Sequence, residues 1–558
     1  MTGRKRIGAL VAAAAAAITL AACGGAGGAG APPLTQEQLS AQSGYNPQPY
    51  ENLKDGGTLT TAIAEINSQF NVFQADSTNS TRVVWNWYNP LIITFTAEGK
   101  SVYNPDYLTD VKTDNAGGVT KTTYTINPKA AYNDGSPIDW TAFEATWKAN
   151  NGKDAAYSVS STDGYDRIAS VTRGVDDRQA VVTYTGINLW YDSLFNNLVN
   201  PKALTPDAFN KGYIDTPHNE WGAGPYQIQK YDKQNGTIVF ERNPKWWGKP
   251  GKLDTRTILQ MEYTAETNAM KNGQLDAARA GTRESYSQLK GLAGTDLRKG
   301  PSLQVDFFQL NGTAPLLSDP VVRKAILSSI DRKQIGQFHF NGLEYEAEPV
   351  GSMNLLPFQE GYSDDLGKVI QYNPEQAKKD LDAAGWVPGP DGIRVKNGQK
   401  LQISYVNTGD DATGKAISAG TQAMLKAVGV QMDVRNVPDA DFAKILAQKQ
   451  FDMFYSGAVQ SDPYGIAYIC QLFCSNTQFL RTGVNDPKND ALIQSVNTLP
   501  TPEEQYKKAS EAQIAAFGTY GVLPTVALPQ IVVAKTGLAN YGATRFFTTS
   551  PENVGWQK

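Results

Sequence analysis

The run from Val305 to Gly336, VDFFQLNGTAPLLSDPVVRKAILSSIDRKQIG, constrains this chain more than any other. Val305, Phe307, Phe308 and Leu310 suit a buried pleated strand, and Asn311-Gly312 turns it. A helix follows at once. Asp319 is placed to cap it, Pro320 fits the first turn because its missing N–H has no helical partner there, and Val322, Ile326 and Ile330 recur at i, i+4, i+8. Asp331 with Gln334 forms a capping-box-like start for another helix. Strand, turn and buried helix in one unbroken run need a large core. A chain of 558 residues, 41% of them hydrophobic, can supply one, and at roughly 150 residues per domain it predicts three or four domains.

The N-terminus reads as an export signal. Arg4, Lys5 and Arg6 are followed by an uncharged, Ala-rich stretch from Ile7 to Leu20, too short for a comfortable membrane span. Leu20-Ala21-Ala22-Cys23 looks like a bacterial lipobox, in which the signal (1–22) is cut before a diacylglycerol-bearing Cys23; the alternative is an ordinary cleavage site with an incidental Cys. Residues 23–52 are then the lipidated Cys and a flexible tether, and folded sequence is expected from about Leu53. Loss of Arg4, Lys5 and Arg6 takes the formal charge from −4 to −7, which disfavours nucleic acid as a partner. Cys470 and Cys474 remain, an even pair in an oxidising compartment that fits either a bridge or two buried thiols.

Five further runs carry local rules. In Tyr124 to Trp147, Asn133-Asp134-Gly135 makes a turn and Asp139 caps a helix that sets Phe143 and Trp147 one turn apart. His218 to Tyr226 (HNEWGAGPY) and Thr237 to Gly248 (TIVFERNPKWWG) are turns covered by tryptophan. Asn373-Pro374-Glu375 opens a helix ended by Gly385, and Thr501-Pro502-Glu503-Glu504 is another capping box.

These runs, in this order, resemble the family 5 extracytoplasmic solute-binding proteins, the oligopeptide- and dipeptide-binding lipoproteins of ABC importers, in an actinobacterial form. SDPVVRKAILSSIDR is similar to the family's "sDPrVRqAlsyAIDR", and YNPEQAKKDLDAAGW to "YdPekAkaLLaeAGw". The resemblance implies a mixed α/β, two-lobed periplasmic-binding-protein-like fold (class II, cluster C) with an extra subdomain and a two-strand hinge. It implies a lobe I core of 53–90, 205–308 and 525–558, an extra subdomain of 91–204, and lobe II at 309–524, with a closing strand near Val522 to Ala534. It also implies Gln69, Phe70, Asn71, Asn311, Gly457, Val459, Gln460 and Asp462 as ligand contacts, with Phe70 equally readable as core. In peptide binders of the family an aspartate four residues before Pro463 holds the peptide's α-ammonium; here that position is Val459. The implied partners are a short peptide, or another solute such as a sugar, nickel complex, opine or haem; an ABC permease; and the membrane through the lipid anchor. A monomer without cofactor is expected.

Enzymatic readings are thin. Gly409 to Ala416 nearly matches a phosphate loop, but Ala416 has no hydroxyl for Mg²⁺, and Asp410 and Asp411 would repel phosphate. Ser287 and Lys290 have SxxK spacing without its companion motifs, and His218 and His339 lack metal-ligand spacing. A lipid-anchored hydrolase with paired carboxylates is the third class considered.

Overall fold

The strand predicted at Val305 is the end of a longer one. In the computed structural model, which describes residues 44–89, 91–477 and 479–558, it runs from Thr295 to Leu310. Gly300 and Pro301 disguise its first half, and the register against its neighbour shifts between Pro301 and Val305. Ten strands of the described residues join in one sheet. They are β1 (Thr58–Ile63), β2 (Tyr226–Asp232), β3 (Thr237–Arg242), β4 (Thr255–Gln260), β5 (Ala277–Arg279), β6 (Thr295–Leu310), β7 (Gln402–Thr408), β8 (Gln431–Val437), β9 (Met453–Val459) and β10 (Val522–Lys535). Across the sheet the order is β8-β7-β9-β6-β10-β5-β1-β4-β3-β2. Strands from the two halves of the chain therefore flank a central antiparallel pair, β6 and β10, which passes from one half to the other.

Three large cores follow the same division. One gathers Phe308, Leu310, Ile326, Tyr405 and Leu523. A second gathers Leu59, Trp87, Phe240, Ile258 and Ala534. A third, around Phe95, Tyr124, Phe143 and Phe195, backs an antiparallel sheet of Leu108–Asp114, Lys121–Ile126, Gln179–Tyr184 and Ile168–Arg173.

Helix starts obey the rules that predicted them, because each supplies an acceptor for an amide without a helical partner. After α1 (Asn79–Tyr88), Asp139 accepts from Thr141 N at 2.9 Å to open α2 (Trp140–Asn150). Asp319 accepts from Val321 N at 2.8 Å for α3 (Pro320–Ser328), and Asp331 from Lys333 N at 2.9 Å for α4 (Arg332–Phe340). Asn373 accepts from Gln376 N for α5 (Pro374–Ala383). In the phosphate-loop lookalike, Asp411 accepts from Gly414 N at 2.9 Å to open α6 (Ala412–Ala427), so a carboxylate fills the place a phosphate would need.

The signal and Cys23 lie outside the described residues. The tether expected to reach residue 52 is shorter than predicted, because Gly44 already pairs with Ala543, Tyr45 stacks on Phe547 at 5.1 Å and Asn46 Nδ2 donates to Leu538 O. Cys470 and Cys474 are joined by a disulfide across the end of α7 (Ile469–Phe473), with Cα atoms 4.6 Å apart. Alkylation of the denatured, unreduced mature chain should therefore label neither thiol. Two labels would remove the bridge.

Candidate ligand-binding cleft

The floor of the space between the lobes is where β6, β9 and β10 meet. Asp306 on β6 lies opposite Gly457 on β9, and Gln304 opposite Val459. Gly457 is dictated by this crowding, since a Cβ there would sit 2.2 Å from Gln304 Nε2 and 2.5 Å from Asp306 Oδ1. A chain of hydrogen bonds ties the strands together. The Tyr455 hydroxyl lies 2.8 Å from His339 Nε2 and 2.9 Å from Thr525 Oγ1, and Thr525 donates to Asp306 O at 2.8 Å. Burial pushes the Asp306 carboxyl up to about 7 and His339 down to about 4, so the imidazole is neutral at ordinary pH.

Both rims of this space are in contact. On one, Asp163 accepts from Cys470 N and Gln471 N at 3.2 and 2.6 Å, and the Tyr468 hydroxyl lies 3.1 Å from Ser193 O. On the other, Asp439 N donates to Glu262 at 2.9 Å. Arg481 meets Asp76 at 2.7 Å. The jaws are closed.

The expected contact residues divide. Gln69, Phe70 and Asn71 lie in the lobe rather than on its cleft surface: Gln69 Nε2 donates to Asn210 O, Asn71 Nδ2 donates to Phe209 O, and Phe70 packs edge-on against Tyr231. Asn311 is likewise consumed, its Nδ2 on Phe451 O and its Oδ1 on Thr313 N. Gln69, Asn71 and Asn311 are corrections to the expectation, while Phe70 takes its alternative reading as core. Their polar atoms stabilise their own turns. Asp462 is buried, accepting from Tyr464 N at 2.8 Å and from the Tyr468 hydroxyl, and burial raises its carboxyl. Gly457 and Val459, on β9, and Gln460 just past it are half-buried; Gln460 Nε2 donates to Asn354 O at 2.8 Å while its Oε1 has no partner. Trp85 and Trp87 are core, whereas Tyr464 stands against Trp190 at 5.6 Å between the lobes.

Two residues escaped the sequence reading. Arg82 of α1 lies near enough to Asp462 and Tyr468 of the facing lobe to feel their charge, and Asn354 is buried with neither amide atom bonded. The one signal for Arg82 was a lone cation in the otherwise uncharged run STRVVWNWY.

Two lobes crossed by a strand pair and closing over a half-polar cleft define a solute-binding protein. Residues 103–479 match the model of the bacterial extracellular solute-binding proteins, family 5, and the chain belongs to that family. The oligopeptide-binding protein OppA of Mycobacterium tuberculosis is 30% identical over 528 residues, covering 93% of this chain and 88% of the relative. The fold is shared with the periplasmic EDTA-binding protein EppA (TM-score 0.77, 22% identity, 92% of this chain and 98% of the other). It is shared too with AppA of Bacillus subtilis, solved with a nonapeptide (TM-score 0.77, 16% identity, 91% and 100%). The chain is thus the extracytoplasmic substrate-binding component of an ABC importer and not an enzyme. Among the described residues no helix is long and apolar enough to cross a membrane.

Proposed function

We propose that this protein, anchored to the cell membrane through lipidated Cys23, captures short peptides between its lobes and delivers them to an ABC permease. The observation that carries the reading is the 30% identity with an oligopeptide-binding relative sustained over 93% of this chain. Lobe I would comprise 53–90, 205–308 and 525–558 with the 91–204 subdomain attached, and lobe II 309–524. Gly457, Val459 and Gln460 are the retained contacts. A peptide's backbone would pair with strand edges and loop amides, which gives affinity without strict sequence preference. Closure about β6 and β10 would bury it and present one closed face to the permease.

A second reading, a non-peptide solute, is favoured by Val459, which cannot hold an α-ammonium. Mass spectrometry of solute released by denaturing the purified mature chain distinguishes them. A ladder of short peptides is expected; a single non-peptide mass would overturn the peptide reading.

A further inference from the structure

Asp319, Asp331, Asn373 and Asp411 each cap a helix of lobe II from within its own sequence. α7 has no such cap. Tyr468 stands at its N-cap position and makes no bond to the first turn; its hydroxyl goes to Asp462 and Ser193 O instead. The acceptor for that turn comes from across the cleft, where Asp163 Oδ1 lies 3.2 Å from Cys470 N and Oδ2 lies 2.6 Å from Gln471 N. The far rim repeats the arrangement. The turn Asp439–Asp441 has no cap of its own, and Glu262 of lobe I accepts from Asp439 N at 2.9 Å.

Both partners of the Asp163 contact are preset. On one side Ser161 Oγ donates to Asp163 Oδ2 at 2.9 Å and accepts from Asp163 N at 3.1 Å, which fixes the carboxylate on its turn. On the other, the Cys470–Cys474 bridge ties the turn that carries the two amides to a cysteine that is 1% exposed and packed in the core of lobe II. Groups fixed beforehand lose less entropy when they meet. Closing also takes the Asp163 carboxyl out of water, which pushes it up to about 7, while Gln471 N and Ser161 pull it back.

We propose that Asp163 is a positioning residue for closure: it caps α7 from the facing lobe, on a turn that the Cys470–Cys474 bridge holds ready, so that part of the affinity for any solute comes from a bond the solute never touches. This rests on reading the interlobe cleft as the solute site. Because the bond is the protein's own, its contribution is the same for every solute the closed jaws admit. Tyr468 and Gln471 make further bonds across this rim, to Ser193 O and Ser160 O, so losing Asp163 weakens closure without abolishing it.

The test is calorimetry and stopped-flow fluorescence on the purified mature chain, stripped of co-purified solute. The probes are tetra-alanine, a lysine-rich tetrapeptide and a glutamate-rich tetrapeptide. Asp163→Ala should weaken all of them about tenfold and by one common factor, through faster dissociation with association unchanged. Asp163→Asn, which keeps one acceptor, should recover part of the loss. Replacing both bridge cysteines, Cys470→Ser with Cys474→Ser, should weaken the probes too, but by much less when Asp163 is already alanine, since the bridge acts through the bond that is gone. Unchanged affinities in Asp163→Ala would overturn the proposal, and so would factors that differ between probes, which would put Asp163 in contact with solute. An equal loss from the bridge in both backgrounds would overturn the bridge's part. If no probe binds the native chain, the peptide reading falls, and small-angle scattering of the stripped protein decides the cap alone. A native chain more compact than Asp163→Ala supports the cap, and equal dimensions overturn it.

Discussion

Replacing Phe308 by alanine should lower the unfolding free energy by about 3–5 kcal/mol, the range for emptying a fully buried aromatic site. Phe308 has no exposed surface and lies near the end of β6, paired with Leu523 of β10 and Tyr455 of β9, its ring 4.5 Å from that of Tyr455. The cavity would open between three strands whose hydrogen bonds fix one another's register. Relaxation to fill it would pull on Tyr455, hence on His339 and Thr525, so collapse is resisted and the cost belongs in the upper part of the range. Urea unfolding followed by tryptophan fluorescence measures it. Because β6 and β10 serve both lobes, one shared transition moving to lower urea is expected. Two transitions with one unmoved would mean that the lobes unfold independently and that the crossing strands do not couple them.

What could be read in the sequence was what short-range chemistry decides. Asp319, Asp331, Asp139 and Thr501 were legible as caps because an unpaired amide and its acceptor lie within three residues. Asp411 was legible as hostile to phosphate for the same reason. Side-chain direction was not legible. Gln69 and Asn71 are as polar as any cleft residue, and what turns them inward is the Asn210 and Phe209 carbonyls, some 140 residues away in the chain. The segment from Gly44 to Asn52 looks like a leash until its partners, Leu538, Asn540 and Phe547, arrive from the far end of the chain. Arg82 was hidden by its neighbours: Val84, Trp85 and Tyr88 mark α1 as a core helix, and no pattern says which face the charge takes. Family resemblance supplied the two lobes and the crossing strands, which no local rule contains.

Solute affinity should weaken as pH rises from about 5.5 to about 8.5, because closing the jaws brings acids together. At one rim Glu262 of lobe I meets Asp439 of lobe II; burial first, then the Glu262 charge, pushes the Asp439 carboxyl up to about 7. Glu266 and Asp411 add negative charge nearby, and the facing cation, Arg279, is already paired with Glu266 at 2.7 Å and stacked on Tyr263. At the other rim the Tyr468 hydroxyl has one hydrogen for two acceptors, Asp462 and Ser193 O, so a proton on Asp462 completes the bonding. With the jaws apart, Asp439 loses the facing Glu262 and its carboxyl returns toward its ordinary range near 4. Closure therefore takes up protons. Its advantage is complete below the open-state value and is lost as pH rises through the closed-state value near 7. His339, held near 4 by burial, stays neutral across this window and adds nothing. A shift of three units would mean a thousandfold change, but Asp439 is half-exposed and screened by solvent, so about tenfold is expected. Calorimetry with a peptide that does not titrate between those limits should show the decline in the native chain, and Asp439→Asn, which keeps the contact without a titrating group, should flatten most of it. Affinity that held level or rose with pH in the native chain would mean that these contacts form without a proton, and that the jaws close against the repulsion of Glu262 and Asp439.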